Sequence, residues 1–138
     1  THGMMADPRW LDPAVDPNDR VPGTCYLGDP KVVNNGPVGL ARFCTLRSWL
    51  SQWSIDDANA CGPTSLGRVS VPVLVVGNTA DDACTPSHTA ALFDAVSHAQ
   101  KARIDIKGAN HYYMGQPELA AEAVERVLDW LREYNFPV

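Results

Sequence analysis

Two short polar segments in the second half of the chain contain residues that could act together as an acid and a base. The segment Gly77–Pro86 includes Asp81 and Asp82, and the segment Gly108–Tyr113 includes His111. A serine hydroxyl is a poor nucleophile until a base takes its proton, and imidazole is suited to do so near neutral pH. A carboxylate on the other ring nitrogen fixes the tautomer and stabilises the imidazolium that forms. An acid followed by a histidine therefore matches the last two members of a Ser-Asp-His triad.

The residues before these segments predict the strands that would position them. The β-branched run Val71–Val76, which ends at Gly77, is typical of a parallel strand buried on both faces. Ala102–Ile106 predicts a second, shorter strand with Ile104 and Ile106 on one face. Since each polar segment directly follows a strand, both should lie at the carboxyl edge of the sheet, where open α/β sheets place their sites.

A helix is predicted after each strand. Thr85 and Pro86 indicate an N-cap with proline at the first helical position, and this helix should extend to about Ala99. A final helix is predicted over Pro117–Glu133. Its apolar stripe at helical spacing consists of Ala120, Val124, Val127, Leu128, Leu131 and Tyr134. The order from residue 71 is therefore β-α-β-α, the repeating unit of a doubly wound sheet.

The predicted sheet is incomplete, because two strands rarely form a stable sheet and both look buried on two faces. No strand of similar quality is predicted before Ser70, and the sequence opens with Thr1, its first methionine being Met4. We expect the missing strands upstream of Thr1 or on a partner chain. A stand-alone β-α-β-α module is an alternative, which expression of residues 1–138 alone would test.

Residues 1–70 have a different composition from the rest of the chain. Pro, Gly and Asp are frequent there, as in Asp12–Pro13 and Val21–Gly23, and these residues favour turns and loops. One amphipathic helix is predicted over about Pro37–Trp53. We therefore predict a cap or lid segment over residues 1–70 and part of a core over residues 71–138.

From Val71 to Pro137 the chain resembles the last two strands and helices of an α/β-hydrolase superfamily member. The similar segments are the strand Val-Pro-Val-Leu-Val-Val-Gly with its acidic turn, the motif Gly-Ala-Asn-His and the last helix with its Asp-Trp-Leu. The stretches Ser51–Ser54 and Leu66–Pro72 also resemble the passage from cap to strand in such enzymes. The resemblance implies the C-terminal part of a doubly wound, mostly parallel α/β-hydrolase sheet with a cap segment, incomplete without an N-terminal half.

The resemblance implies that His111 is the triad histidine and favours Asp81 as the acid. Members of the family often carry Thr-Ala-Asp at this strand end, and the residues from Thr79 to Asp81 match that form. Asp82 is the alternative acid, at the spacing to Pro86 that some relatives use. Because a one-residue shift in a turn redirects the carboxylate, only one of the two aspartates should face His111.

The nucleophile is the departure from the family pattern. The family's nucleophile elbow reads G-x-S-x-G between a strand and a helix. The nearest match is Gly62–Gly67, but its first glycine is one place too far from Ser65 and no strand is predicted before it. The resemblance therefore implies a nucleophilic serine, with one or both oxyanion donors, upstream of Thr1.

Several residues near the two segments have weaker functional interpretations. Tyr112, Tyr113 and Met114 follow the histidine and could line the acyl or leaving-group pocket, although packing explains them equally well. Cys84 precedes a helix N-terminus, where thiolates are favoured, but a small buried packing residue is the commoner role. His88, in the first turn of that helix, is most simply a surface residue, with a supporting role at the site as the alternative.

Composition narrows the partners. The net charge of -5 with scattered basic residues disfavours nucleic acid, and the longest apolar run is far too short to span a membrane. The four cysteines show no metal-ligand spacing and favour a reduced cytoplasmic location, with secretion as the alternative. No metal or cofactor is predicted, because triad chemistry requires neither and no phosphate-binding glycine loop occurs.

Two functions from different classes follow from the resemblance. The first is a serine hydrolase that acts on a small or medium ester-like substrate, with this chain supplying the acid and the base. Its partner would be the N-terminal half of the hydrolase, from the same precursor or a separate chain. The alternative is a catalytically silent α/β-hydrolase fold that binds a small ligand or a protein, which a replaced serine at the elbow would indicate.

Overall fold

The computed structural model describes residues 8–24, 28–29, 32 and 45–137. The chain divides into two compact units, residues 1–62 and residues 63–138. The change in composition near Ser70 lies within the second unit. Over the described residues the protein is mixed α/β, with four α-helices and a two-stranded parallel sheet. These elements are, in chain order, α1 (Leu46–Trp53), α2 (Gly62–Leu66), β1 (Val73–Asn78), α3 (Pro86–Ala95), β2 (Lys101–Ile106) and α4 (Pro117–Glu133).

The described part of the first unit contains a 3-10 helix, Pro8–Leu11, and helix α1. Thr45 caps α1, because its backbone is extended and its Oγ1 accepts a hydrogen bond from the Ser48 N–H at 3.1 Å. Helix α1 therefore begins at Leu46, inside the range of about Pro37–Trp53 over which a helix was predicted. The part of that prediction before Thr45 lies outside the described residues.

The two strands of the second unit pair in parallel, with Val73 opposite Lys101 and Asn78 opposite Ile106. β1 begins and ends two residues later than the apolar run suggested. Its start is delayed because Pro72 has no N–H to donate to a neighbouring strand. The pairing starts one residue before β2, where the Val73 N–H donates to the Gln100 carbonyl at 3.1 Å.

Helix α3 ends at Ala95, earlier than the predicted end near Ala99. Val96 already has an extended backbone, and its N–H bonds back to the Phe93 carbonyl. The ammonium group of Lys101, at the start of β2, donates to the carbonyl oxygens of Phe93 at 3.0 Å and Val96 at 2.9 Å. A cation on the last carbonyls stabilises a helix terminus, so a residue of the next strand determines where α3 ends.

Helix α4 has the predicted bounds, Pro117–Glu133, which the structure confirms. Its end is a Schellman motif. Asn135 adopts a left-handed backbone with φ 58°, its N–H bonds to the Arg132 carbonyl at 3.0 Å, and the Phe136 N–H bonds to the Leu131 carbonyl at 2.9 Å. These bonds satisfy carbonyls that the helix itself leaves without donors.

The core of the second unit is small. Ile106, Ala109 and Ala123 are buried together, so β2, the loop after it and α4 meet at one point. The partly buried apolar residues packed against this core are Ile104, Tyr113 and Leu119.

An open apolar groove of about 410 Å³ lies beside this core, between β1 and α4. Its lining residues are Val76, Tyr113, Ala120, Ala123, Val124, Val127 and Leu128. Val76 is 37% exposed, so the predicted burial of β1 on both faces is not observed, and Val124 of the α4 stripe is 58% exposed. The physical reason is that β1 has a strand on one edge alone within the described residues.

Candidate functional site

The carboxyl ends of β1 and β2 lie side by side, because the strands are parallel and their last residues pair in register. Asp81 follows the end of β1 in a tight turn, and His111 follows the end of β2 in the loop that leads to α4. The two segments identified by their chemistry in the sequence therefore meet at one edge of the sheet.

Asp81 and His111 form a hydrogen-bonded pair, called the dyad below. Nδ1 of His111 lies 2.9 Å from Oδ2 and 3.1 Å from Oδ1 of Asp81. The Asp81 side chain is 6% exposed and the His111 side chain 36% exposed. An ionised carboxylate can only accept hydrogen bonds, so we assign the proton of this contact to Nδ1. The imidazole is thus anchored on a buried acid while the ring itself reaches solvent.

Main-chain donors hold the Asp81 carboxylate in place. Its Oδ1 accepts hydrogen bonds from the N–H groups of Ala83 at 2.7 Å and Cys84 at 2.9 Å. An aspartate side chain that accepts hydrogen bonds from the N–H groups two and three residues later stabilises the turn in which it lies. The turn thereby presents the carboxylate to His111, whereas Asp82, the alternative acid, is exposed.

The acid turn and the histidine loop are joined by main-chain hydrogen bonds. The Thr79 N–H donates to the Ile106 carbonyl at 3.1 Å, and the Ala80 N–H donates to the Ala109 carbonyl at 3.0 Å. The Gly108 N–H donates to Oγ1 of Thr79 at 2.8 Å. These bonds continue the parallel pairing past the ends of the strands, so the acid turn and the start of the histidine loop are held side by side.

The aromatic and apolar residues after His111 divide into two groups. Tyr112 is 61% exposed and its ring packs edge-on against the His111 ring, with 4.6 Å between centroids. Met114 is also exposed. Tyr113 instead turns inward and packs against the core. Tyr112 is therefore accessible against the imidazole, Met114 is exposed three residues after His111 in the chain, and Tyr113 is a structural neighbour of the dyad.

The remaining candidates lie at different places. Cys84 is partly buried, and its N–H is one of the donors to Asp81. His88 is half-buried on α3. Ser65 is an exposed residue of α2, a five-residue helix that follows a loop and helix α1, so it lacks the strand-turn-helix setting of a nucleophile elbow. None of the described helices is both long and apolar enough to cross a membrane.

Three polar residues that hold the segments of the dyad in place were given no role of their own from the sequence: Asn78, Thr79 and Gln116. Oε1 of Gln116 accepts from the Asn110 N–H at 2.8 Å, and its Nε2 donates to the Gly108 carbonyl at 2.8 Å. The sequence feature that could have pointed to Asn78 is its position: it is a polar residue at the end of an apolar strand, shortly before Asp81.

No protein-family model, curated protein or solved structure matches this chain. A function therefore has to be inferred from the chemistry of its own residues. The described residues contain no group of three or more His, Cys, Asp and Glu side chains placed to hold a metal ion.

Proposed function

We propose that this chain belongs to a serine hydrolase of the α/β-hydrolase type, which hydrolyses a small or medium, largely apolar ester or related acyl compound. In this proposal the chain supplies the acid, Asp81, and the base, His111, of a Ser-Asp-His triad. The observation that carries the proposal is the contact of 2.9 Å between Nδ1 of His111 and Oδ2 of Asp81 at the carboxyl edge of a parallel sheet.

The tautomer of His111 gives this contact its chemical meaning. The Nδ1–H group donates a hydrogen bond to Asp81 and keeps its proton. Nε2 is therefore the basic nitrogen of the neutral ring. Nε2 would take the serine proton while the serine oxygen attacks the acyl carbonyl. The imidazolium would then give that proton to the departing alkoxide, and a water molecule would repeat both steps to release the acid. Asp81 stabilises the imidazolium throughout and remains ionised.

The serine and the oxyanion donors are proposed to lie outside the 138 residues. The accessible apolar groove supports this part of the proposal, since Val76 and Val124 are the kind of side chains that neighbouring strands and helices cover in a doubly wound sheet. Further strands would continue the sheet from the edge of β1 that faces away from β2. Residues 1–70 would contribute to a cap.

The surroundings of the ring favour an apolar substrate. Tyr112 is exposed against the His111 ring, and Met114 is exposed three residues after His111 in the chain; both would contact the acyl or leaving group. Apolar side chains around a few placed polar groups are typical of small-molecule sites. The proposed chemistry involves no metal or cofactor.

Replacement of His111 by alanine tests the proposed function. In the complete protein, His111→Ala should lower kcat for p-nitrophenyl acetate by about 10⁴ or more, as for other triad histidines. The melting temperature should change little, because the ring is partly exposed and Asp81 keeps its two main-chain donors. His98→Ala, a histidine in the turn between α3 and β2, is the matched control and should retain turnover.

Turnover retained by His111→Ala would contradict the proposal. If the complete protein has no turnover and another residue replaces the serine of the elbow, the binding function would be favoured over the hydrolase.

A further inference from the structure

Asn78, the last residue of β1, contacts both segments that carry the dyad. Its main-chain carbonyl accepts a hydrogen bond from the Asp81 N–H at 3.2 Å. Its side-chain Nδ2 donates to the carbonyl oxygen of Asn110, the residue before His111, at 3.0 Å. Its Oδ1 accepts from the Tyr113 hydroxyl at 2.7 Å. One residue thus joins the acid turn to the main chain just before the base and to a side chain two residues after it.

The orientation of the Asn78 amide follows from its partners. A main-chain carbonyl can only accept, so the amide nitrogen must face Asn110, and the amide oxygen is left to accept from Tyr113. The Tyr113 ring is held in turn by packing on the core of Ile106, Ala109 and Ala123. A packed tyrosine therefore orients the amide that bonds to Asn110.

The backbone of the histidine loop is restrained at the residue that Asn78 contacts. The Asn110 carbonyl accepts from Asn78, and the Asn110 N–H donates to Gln116 at 2.8 Å. Tyr113 has a left-handed backbone with φ 53°, a conformation that side chains other than glycine adopt when their surroundings hold them there. With both main-chain polar groups of Asn110 bonded, the position of the next residue, His111, is closely defined.

We propose that Asn78 is a positioning residue for His111 and that the Tyr113 hydroxyl orients it. This inference rests on the proposed function, because its effect on rate comes through the separation of Nδ1 of His111 from Asp81. Without the Asn78 side chain the Asn110 carbonyl keeps the Tyr113 N–H, a donor from the same loop at 3.3 Å, but loses its bond to the end of β1. The histidine loop can then move relative to the acid turn. A displacement of about 1 Å at a catalytic group can cost about a hundredfold in rate.

The test is a double-mutant cycle in the complete protein, with p-nitrophenyl acetate as substrate. Asn78→Ala should lower kcat about a hundredfold and Tyr113→Phe about tenfold, with KM nearly unchanged in both. The double variant should be no slower than Asn78→Ala alone, since the hydroxyl acts through the amide. Gln100→Ala and Tyr134→Phe remove an amide and a hydroxyl elsewhere in the second unit and should retain the original kcat.

The proton NMR signal of the His111 Nδ1–H, measured at low temperature, gives a readout independent of turnover. This signal should be slowed in solvent exchange by the bond to Asp81, and it should broaden or disappear in both the Asn78→Ala and Tyr113→Phe variants. Tyr113→Phe keeps the packed ring, so it remains informative if Asn78→Ala does not fold.

The possible failures are distinguishable. An unchanged kcat and an unchanged Nδ1–H signal in Tyr113→Phe and Asn78→Ala would overturn the role of Asn78 while leaving the hydrolase intact. Equal and additive losses in the cycle would overturn the coupling between the hydroxyl and the amide. If His111→Ala retains turnover, the proposed function fails, and the Nδ1–H signal alone then decides whether Asn78 positions the ring.

Discussion

Replacement of Asp81 by asparagine should reverse the tautomer of His111 with little change in geometry. In the wild type Oδ1 of Asp81 accepts from the Ala83 and Cys84 N–H groups, and Oδ2 faces His111 Nδ1 at 2.9 Å. The asparagine oxygen should stay with the two main-chain donors, because the amide nitrogen cannot accept from them. The amide nitrogen then faces the imidazole and offers it a donor, so Nδ1 must accept and the ring proton moves to Nε2.

A protonated Nε2 cannot take the proton of a serine, so catalysis should collapse while the fold is retained. In triads of known mechanism this substitution lowers kcat by about 10⁴, which corresponds to about 5.4 kcal/mol in activation free energy. The assay is p-nitrophenyl acetate turnover by the complete protein, with the melting temperature measured in parallel. The ¹⁵N chemical shifts of the His111 ring nitrogens should show the change from the Nδ1–H to the Nε2–H tautomer.

Asp82→Asn is the matched control, because it makes the same chemical change at the neighbouring, exposed position. Its kcat should remain close to that of the wild type. The reasoning would be refuted if Asp81→Asn kept its activity, or if Asp82→Asn lost as much as Asp81→Asn did. It would also be refuted if the His111 ring showed the same tautomer before and after the substitution.

Two further predictions concern the elements that support the site, and both are measured by urea unfolding. A Cβ on Gly77 would lie 2.6 Å from Cγ2 of Thr89, so Gly77→Ala should destabilise the protein by about 1–3 kcal/mol. Gly67→Ala is the control and should not show this loss, because the atoms nearest to a Cβ there are 3.8 Å away. Equal losses in the two variants would contradict the packing between β1 and α3. Asn135→Gly should raise the free energy of unfolding by up to about 1 kcal/mol, since glycine adopts φ 58° without strain, and Asn135→Ala should lower it; the opposite order would contradict the Schellman end of α4.

Much of the second unit could be predicted from local patterns. An apolar β-branched run identified β1, the placement of Ile104 and Ile106 on one face identified β2, and Pro117 with the apolar stripe after it gave the bounds of α4. The proximity of Asp81 to His111 also followed from sequence, since the carboxyl ends of neighbouring parallel strands lie at one edge. These predictions succeeded because each depends on residues within one element or on the connection between two.

Features that depend on distant partners could not be predicted. The end of α3 is set by Lys101, a residue of the next strand, and the orienting bonds of Asn78 require the register that places it beside the histidine loop. The start of α1 after Thr45 was not predicted, because apolar residues occur at helical spacing on both sides of Thr45 in the sequence. Asp81 was favoured over Asp82 by the match of Thr79–Asp81 to a family motif, and it is the aspartate that contacts His111. The two main-chain N–H groups that close its turn were not foreseen from the sequence.

Labelling of the complete protein with a fluorophosphonate, followed by peptide mass spectrometry, most directly tests whether the dyad activates a serine. Wild-type protein should acquire one phosphonyl group on one serine outside the 138 residues, and the labelling rate should fall by orders of magnitude in His111→Ala and Asp81→Asn. Equal labelling rates in the wild type and both variants, or wild-type protein that acquires no label, would contradict a triad built on Asp81 and His111.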